Sequence, residues 1–173
     1  LISVIVLYIF SNLTAASILA ITILFYVLIY TIWLKRITPQ NIVIGGASGA
    51  LPPIIGWAIA TNSIALEPII LFLIIFVWTP SHFWALSLYK IEDYNNARIP
   101  MLPVVAGIKT TKINIFVYSL ILFFVSLLPV YFGFFGKVYF VSSFLLGGYY
   151  IYLCYKLLFD NKNHIIAKKI FFY

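Results

Sequence analysis

The stretch from Trp78 to Thr111, which reads WTPSHFWALSLYKIEDYNNARIPMLPVVAGIKTT, leads from an apolar helix into the most polar segment of the chain. Its polar part, 89–111, holds two of the four acidic residues, Glu92 and Asp93, and with Lys112 at its edge four of the eleven basic ones. Such a cluster at the end of an apolar helix is informative, because membrane-embedded chains contain few polar groups. We therefore expect any chemistry to be concentrated in this segment.

The surrounding sequence is too apolar for an ordinary soluble domain. The 173 residues are 64% hydrophobic and 9% charged, with a mean hydropathy of +1.11. A soluble domain carries about 25% charged residues, so this composition predicts an integral membrane protein embedded in a lipid bilayer. The net charge of +7 does not indicate a nucleic-acid partner, because Lys and Arg collect in the cytoplasmic loops of membrane proteins.

The apolar sequence divides into five runs long enough to span a bilayer, since about 20 helical residues cross its hydrocarbon core. These runs are 15–34, 41–60, 68–88, 113–135 and 138–158, and a half-length run, 1–10, precedes them. We expect an all-α, polytopic transmembrane bundle forming a single domain over residues 1–173. Because the chain starts and ends inside apolar runs and lacks an initial Met, we expect this domain to be incomplete at both ends.

The second run is the least regular of the five. Thr38 and Pro39 before it are typical of an N-cap followed by the first helical residue. Within it, Gly45 and Gly49 form a GxxxG pair, which lets another helix approach closely. The Pro52-Pro53 pair removes two backbone donors, so we expect the helix to kink or break there.

The basic residues predict the orientation of the spans. If the spans alternate in direction, the loops at 35–40, 89–112 and 156–169 share one side, and the other side keeps only Lys137. We expect the basic side to be cytoplasmic, or the matrix side in a mitochondrion. Its ten basic residues are Lys35, Arg36, Lys90, Arg98, Lys109, Lys112, Lys156, Lys162, Lys168 and Lys169.

Glu92 and Asp93 are adjacent acids at the expected membrane interface, with Lys90 and Arg98 nearby. Carboxylate oxygens suit Mg²⁺ bridging to a diphosphate, and basic side chains suit the phosphate oxygens directly. An ordinary solvated loop would have the same composition. Both interpretations therefore stay open at this point.

His82 is an ionisable residue within about two turns of the end of the third run. At that depth it could accept a proton, bind a porphyrin metal or contact a carboxylate. The alternative is a neutral histidine bonded to a backbone carbonyl. We expect Trp78 and Trp84 to be interfacial anchors and Cys154 to be a small apolar filler, with the remaining histidine, His164, solvated.

Several motifs carry a family resemblance. They are TPQNIVIGG at 38–46, PPIIGW at 52–57, WTPSHFWAL at 78–86, Asp93-Tyr94, and IPMLPVV at 99–105. Together they resemble the protoheme IX farnesyltransferase (heme O synthase) family of UbiA-type intramembrane prenyltransferases. That family implies nine helices around a lipid-open cavity, with two acidic motifs on cytoplasmic loops. The chain would correspond to the end of helix three through helix eight.

The resemblance implies transfer of a farnesyl group from farnesyl diphosphate to a vinyl group of heme b, giving heme O and diphosphate. It implies a bacterial inner membrane, or alternatively a mitochondrial inner membrane, and a heme A synthase as a partner. The implied site residues are Asp93 and Glu92 as catalytic Mg²⁺ ligands, Lys35, Arg36, Lys90 and Arg98 for the diphosphate, and His82 for heme.

The chain departs from the family pattern in three places. The first acidic motif, Asn-x-x-x-Asp-x-x-x-Asp, would lie upstream of Leu1, so half of the metal site is expected to be missing. The second motif retains only Glu92 and Asp93. Arg98 stands where many members of the family have glycine.

Three alternative functions remain open at this point. The nearest is a sister prenyltransferase with a quinone-type aromatic acceptor, and the others are a membrane transporter or channel and a non-catalytic scaffold. No charge lies in the middle of the five apolar runs. This argues against an ion path, because such paths use intramembrane charges.

Overall fold

The computed structural model describes residues 2–160 and 165–173, and the elements found there are all helical. The expectations for Lys162 and His164 fall outside the described residues. The α-helices are α1 (Ile2–Phe10), α2 (Leu13–Leu24), α3 (Asn41–Ala50), α4 (Pro52–Thr61), α5 (Leu66–Tyr89), α6 (Ile91–Asn96), α7 (Leu102–Val105), α8 (Gly107–Tyr131), α9 (Lys137–Phe159) and α10 (Ile165–Phe172). Helix α2 continues as a π-helical segment, Phe25–Trp33, and a 3-10 turn, Leu34–Arg36.

Five helical stretches are long and apolar enough to cross a membrane, which confirms the predicted helical bundle. They are Leu13–Arg36, Asn41–Thr61, Leu66–Tyr89, Gly107–Tyr131 and Lys137–Phe159. The polar segment between the third and fourth stretches also contains two short helices, α6 and α7, where a loop was expected.

The start of the fourth span was predicted incorrectly. Helix α8 begins at Gly107, six residues before 113, because its polar first turns are satisfied within the protein. The Thr111 hydroxyl donates to the carbonyl of Gly107, and the Lys112 ammonium donates to the carbonyl of Asp160 just beyond α9. Lys112 is only 8% exposed. The hydropathy of the sequence placed this residue in a loop, whereas it is buried in the first turns of α8.

Helix α5 lies at the centre of the bundle and packs against α3, α8 and α10. Cys154 is fully buried in the main core cluster, as predicted. Trp84 belongs to the same cluster and is 1% exposed, so its prediction as an interfacial anchor was wrong. An indole can serve as core packing as readily as a membrane anchor, and the sequence does not distinguish these roles.

The second span contains a break where two prolines meet. Helix α3 ends at Ala50, and α4 begins at Pro52, as predicted from the proline pair. The start of α3 lies later than expected, at Asn41. The N-cap residue is Gln40, so the prediction of Thr38 as the N-cap and Pro39 as the first helical residue was wrong. The Thr38 hydroxyl instead accepts a hydrogen bond from the Gln40 N–H at 3.2 Å within the turn that precedes the helix.

The predicted GxxxG pair is used differently from expectation. A Cβ on Gly45 would lie 2.4 Å from the Tyr30 ring, and one on Gly46 would lie 3.0 Å from the Thr79 side chain. Gly49 has no atom within 4 Å of such a Cβ. The close approaches to α3 therefore occur at the consecutive residues Gly45 and Gly46, the first beside the π-helical segment and the second beside α5.

One face of the bundle gathers the polar ends of several helices. The Lys112 to Asp160 bond joins the start of α8 to the end of α9, and the Lys168 ammonium lies 5.6 Å from the centre of the Tyr89 ring. The ends of α5 and α9 and the starts of α8 and α10 therefore share one side. We call this side the polar face, and Lys137 at the start of α9 marks the opposite end of that helix.

We expect the polar face to lie in the cytoplasm, because basic residues are retained there. In a Cys154→Ala background, Lys137→Cys should react with a membrane-impermeant maleimide on intact cells. Asp93→Cys should react only after the cells are opened. Labelling of position 93 on intact cells would contradict this orientation.

Candidate active site

A cavity of about 600 Å³ opens between α2 with its π-helical segment, α3 and α5. We call it the main cavity. Along α3 it extends from Ile42 to Gly49, and along α5 from Phe83 to Ile75. At 1.5 Å per helical residue these stretches correspond to a depth of about 10–12 Å, beginning near the polar face.

The main cavity presents an apolar surface although it contains hydroxyl residues. Thr79 donates its hydroxyl hydrogen to the carbonyl of Ile75 at 2.7 Å, and Ser48 donates to Gly45 at the same distance. These donors are therefore committed to the helix backbone. Such a cavity suits a long hydrocarbon chain better than a polar solute.

The π-helical segment forms one wall of the main cavity. It places Tyr26 and Tyr30 there, with ring centroids 5.3 Å apart, and the Tyr30 ring occupies the space beside Gly45. Short π-helical turns occur frequently at functional sites, whereas this one runs for nine residues. Sequence analysis missed both tyrosines, because nothing in an apolar run marks a π-helix.

Helix α6 carries the acidic residues that the sequence singled out. Asp93 forms an ion pair with Lys90 at 2.9 Å, and both side chains are more than half exposed. This hydrogen bond raises the pKa of the Lys90 ammonium. Glu92 lines a separate cavity of about 260 Å³ with Asn95, so the two carboxylates have different surroundings.

Helix α6, which carries Tyr94, lies near the polar-face end of the main cavity. It follows α5 directly and packs against it, and α5 lines the main cavity from Ile75 to Phe83. Burial, with smaller contributions from Tyr89 and Asp93, raises the pKa of Tyr94.

The carboxylates suit one side of a metal site. Within residues 2–160 and 165–173, no group of three or more His, Cys, Asp or Glu side chains could hold a metal ion. Glu92 and Asp93 provide hard oxygen donors, and Mg²⁺ is commonly held by one or two carboxylates together with phosphate oxygens and water. The donor set therefore fits a diphosphate-bridged Mg²⁺ rather than an ion enclosed by protein ligands.

Three further basic residues lie around the polar face without a carboxylate partner among the described residues. Lys35 and Arg36 form the turn after the π-helical segment, and the Asn41 amide donates to the Lys35 carbonyl at 3.1 Å. Arg98 is exposed two residues beyond α6. The structure thus leaves these cations available for an anionic ligand.

Arg98 adopts a backbone conformation that favours glycine. Its φ angle is +53°, in the left-handed region where a Cβ is unfavourable. Its N–H donates to the carbonyl of Asn95 at 3.0 Å and closes the turn after α6. Glycine, which the resemblance implies at this place, adopts this conformation without steric cost.

His82 is held between two aromatic rings. The Trp78 ring lies 4.2 Å away at 30°, and the Phe171 ring from α10 lies 4.4 Å away at 25°. The buried Nδ1 atom has no hydrogen-bond partner among the described residues, which does not support the alternative of a backbone-bonded histidine. Because Trp78 also lines the main cavity, His82 belongs to the surroundings of that cavity.

Comparison with known proteins adds independent evidence. The UbiA prenyltransferase family matches residues 1–173. A Pelagibacter ubique protein named protoheme IX farnesyltransferase is 60% identical over 99% of this chain and 57% of its own length. Proteins of the same name from Parvibaculum lavamentivorans and Rickettsia akari are 56% and 51% identical, over 83% and 94% of this chain and 45% and 53% of their own lengths.

This chain therefore spans about half the length of the curated relatives that it matches. No solved structure shows a significant match. The family match covers every residue, and the predicted bundle of membrane-spanning helices agrees with it. The chain belongs to the UbiA prenyltransferase family.

Proposed function

We propose that the protein containing this chain transfers a farnesyl group from farnesyl diphosphate to a vinyl group of heme b, giving heme O and diphosphate. The structural observation that carries the proposal is the charged helix α6, which follows α5 at the end of that helix nearest the polar face, beside the apolar main cavity. The names of the relatives support heme as the acceptor over a quinone-type aromatic compound. Membership of a prenyltransferase family argues against the transporter and scaffold interpretations.

The first step of this reaction breaks the C–O bond of farnesyl diphosphate, and the electron pair leaves with the diphosphate. The departing group carries several negative charges, which must be neutralised at the site. Lys90 and Arg98 beside α6, with Lys35 and Arg36 across the polar face, would pair with its oxygens. Glu92 and Asp93 would hold Mg²⁺, which supplies further positive charge to the leaving group when bound.

The π electrons of the heme vinyl group then form a bond from its outer carbon to the allylic carbon. The cation left on the inner vinyl carbon, next to the porphyrin, takes up a water molecule and releases a proton. The main cavity would hold the farnesyl chain and keep water away from the allylic cation. The Tyr26 and Tyr30 rings on its wall can face that cation, and aromatic faces attract positive charge. His82 would orient heme, because its Nδ1 atom has no hydrogen-bond partner among the described residues that would have to be replaced.

The proposed setting is the bacterial inner membrane, with the polar face toward the cytoplasm. The five apolar spans and the bacterial origin of the relatives support this location over the mitochondrial inner membrane. A heme A synthase is the proposed partner, because an enzyme of that kind would consume the heme O produced.

Asp93 can be tested in a hybrid enzyme in which this chain replaces the matching segment of the Pelagibacter ubique relative. We expect Asp93→Asn to lower turnover at least about tenfold, or roughly 1.4 kcal/mol of barrier, because one metal ligand is lost. Excess Mg²⁺ should partly restore the rate.

The 173-residue chain alone should be inactive, because Glu92 and Asp93 cannot surround the ion from two sides.

Glu67→Gln is the matched control for this experiment, since Glu67 lies in the first turn of α5, at the opposite end from α6. It should leave both turnover and Mg²⁺ dependence unchanged. Unchanged turnover and Mg²⁺ dependence in Asp93→Asn would remove Asp93 from the metal site. Farnesyl transfer by the isolated chain would contradict the need for further ligands.

A pair of substitutions separates chemistry from packing at His82. His82→Phe keeps an aromatic ring between Trp78 and Phe171 and removes both nitrogens, whereas His82→Leu also removes the stacking. We expect the Phe variant of the hybrid to accumulate normally in membranes and to convert heme b at least about tenfold more slowly. Normal heme O formation by His82→Phe would assign His82 a packing role only.

Arg98→Gly tests the phosphate role without straining the turn, because glycine tolerates positive φ. We expect the KM for farnesyl diphosphate to rise about three- to fivefold, since an exposed charge contributes at most about 1 kcal/mol. Thermal stability should not fall. Lys109→Gln, which removes a charge from the same face outside the proposed site, should leave KM unchanged; an equal KM in Arg98→Gly would exclude the phosphate role.

A further inference from the structure

The glycines of α3 differ in what surrounds them. At Gly45 a Cβ would lie 2.4 Å from the Tyr30 ring, so that ring would have to move, and at Gly46 a Cβ would lie in tight contact, 3.0 Å from the Thr79 side chain. At Gly49 a Cβ would have no neighbour within 4 Å. Glycine inside a helix is less favourable than alanine, and packing within the described residues does not account for it at this position.

Gly49 lies at the deep end of the main cavity. It is seven residues, or about 10 Å, beyond Ile42 along α3, and only Ala50 follows it before the helix ends. The other walls reach their deepest points at Thr22 and Ile75. Gly49 is exposed and lines the cavity there, so a side chain at this position would lie beside the part of the cavity farthest from the polar face.

We propose that Gly49 determines the length of prenyl chain that the enzyme accepts. The proposal rests on the function proposed above, in which the diphosphate is held at the polar face and the hydrocarbon chain extends into the main cavity. With the charged end fixed there, the last isoprene unit of a fifteen-carbon chain reaches deepest. The missing side chain of Gly49 leaves space for that unit.

The expected change in chain-length preference can be estimated from how strongly an apolar pocket distinguishes substrates of different size. One added or missing methylene in an apolar pocket changes kcat/KM by about 10- to 200-fold. A leucine at position 49 would introduce four carbon atoms into the deep end. A ten-carbon geranyl chain is one isoprene unit shorter, so its end lies nearer the polar face than the end of a farnesyl chain.

The test compares Gly49→Leu with the parent hybrid enzyme, using heme b with farnesyl diphosphate or geranyl diphosphate. We expect the farnesyl-to-geranyl ratio of kcat/KM to fall at least about tenfold. Equilibrium binding of the two diphosphates to the solubilised protein should change in the same direction. An unchanged ratio would overturn the proposal.

Gly56→Leu is the matched control. Gly56 also has no neighbour within 4 Å of an added Cβ and also lies in a helix, but it does not line the main cavity. The control should keep the parent ratio while carrying the same loss of a helical glycine. A fall in the ratio in Gly56→Leu equal to that in Gly49→Leu would also overturn the proposal.

Gly49→Ala decides the question if the leucine variant does not accumulate. Alanine adds one carbon, so we expect a smaller fall in the ratio than in Gly49→Leu, by about tenfold, the lower end of the range for one carbon, at normal protein levels. Loss of protein in Gly49→Leu together with an unchanged ratio in Gly49→Ala would show that Gly49 serves packing in the whole protein. A parent hybrid that transfers neither chain would instead contradict the proposed function itself.

Discussion

The bilayer interior offers no water to polar groups, and the rest of the structure depends on this constraint. The Thr79 hydroxyl donates to the carbonyl of Ile75 within the same helix, so it exposes no free donor to the main cavity. Where a hydroxyl reaches another helix, it finds a partner there: the Ser81 and Tyr150 oxygens lie 2.9 Å apart and join α5 to α9. The cavity can therefore be apolar in character although hydroxyl residues line it.

The exceptions to this rule are few among the described residues, and His82 differs from the others. The remaining buried atoms without partners are Asn41 Oδ1 and the indole nitrogens of Trp57 and Trp84, which belong to groups that do not titrate. Leaving a buried polar atom unpaired costs about 1–3 kcal/mol. Aromatic stacking on Trp78 and Phe171 fixes the imidazole without hydrogen bonds. A substrate that satisfied the free nitrogen would recover part of that cost.

Hydropathy and proline chemistry were sufficient to predict the five spans and the break at Pro52, because both follow from local sequence. The start of α8 was not predictable in this way, since Lys112 is stabilised by the backbone carbonyl of Asp160, which is far from it in the sequence. The π-helical wall and the different surroundings of Gly45 and Gly49 depend on which helices pack together. The spacing of apolar residues along the sequence does not determine that. In the candidate site, Glu92, Asp93 and His82 were singled out from the sequence and their roles stay predictions, whereas the cavity tyrosines were missed.

The Lys90 and Asp93 pair illustrates how an exposed ion pair can belong to a binding site. Both side chains are more than half exposed, so separating them costs at most about 1 kcal/mol. In the proposed reaction, a metal-bound diphosphate would offer each member a stronger partner, the cation for Asp93 and a phosphate oxygen for Lys90. Without that ligand, the pair keeps two charges of opposite sign neutralised at the start of α6. Substrate binding would then exchange one weak ion pair for two stronger contacts.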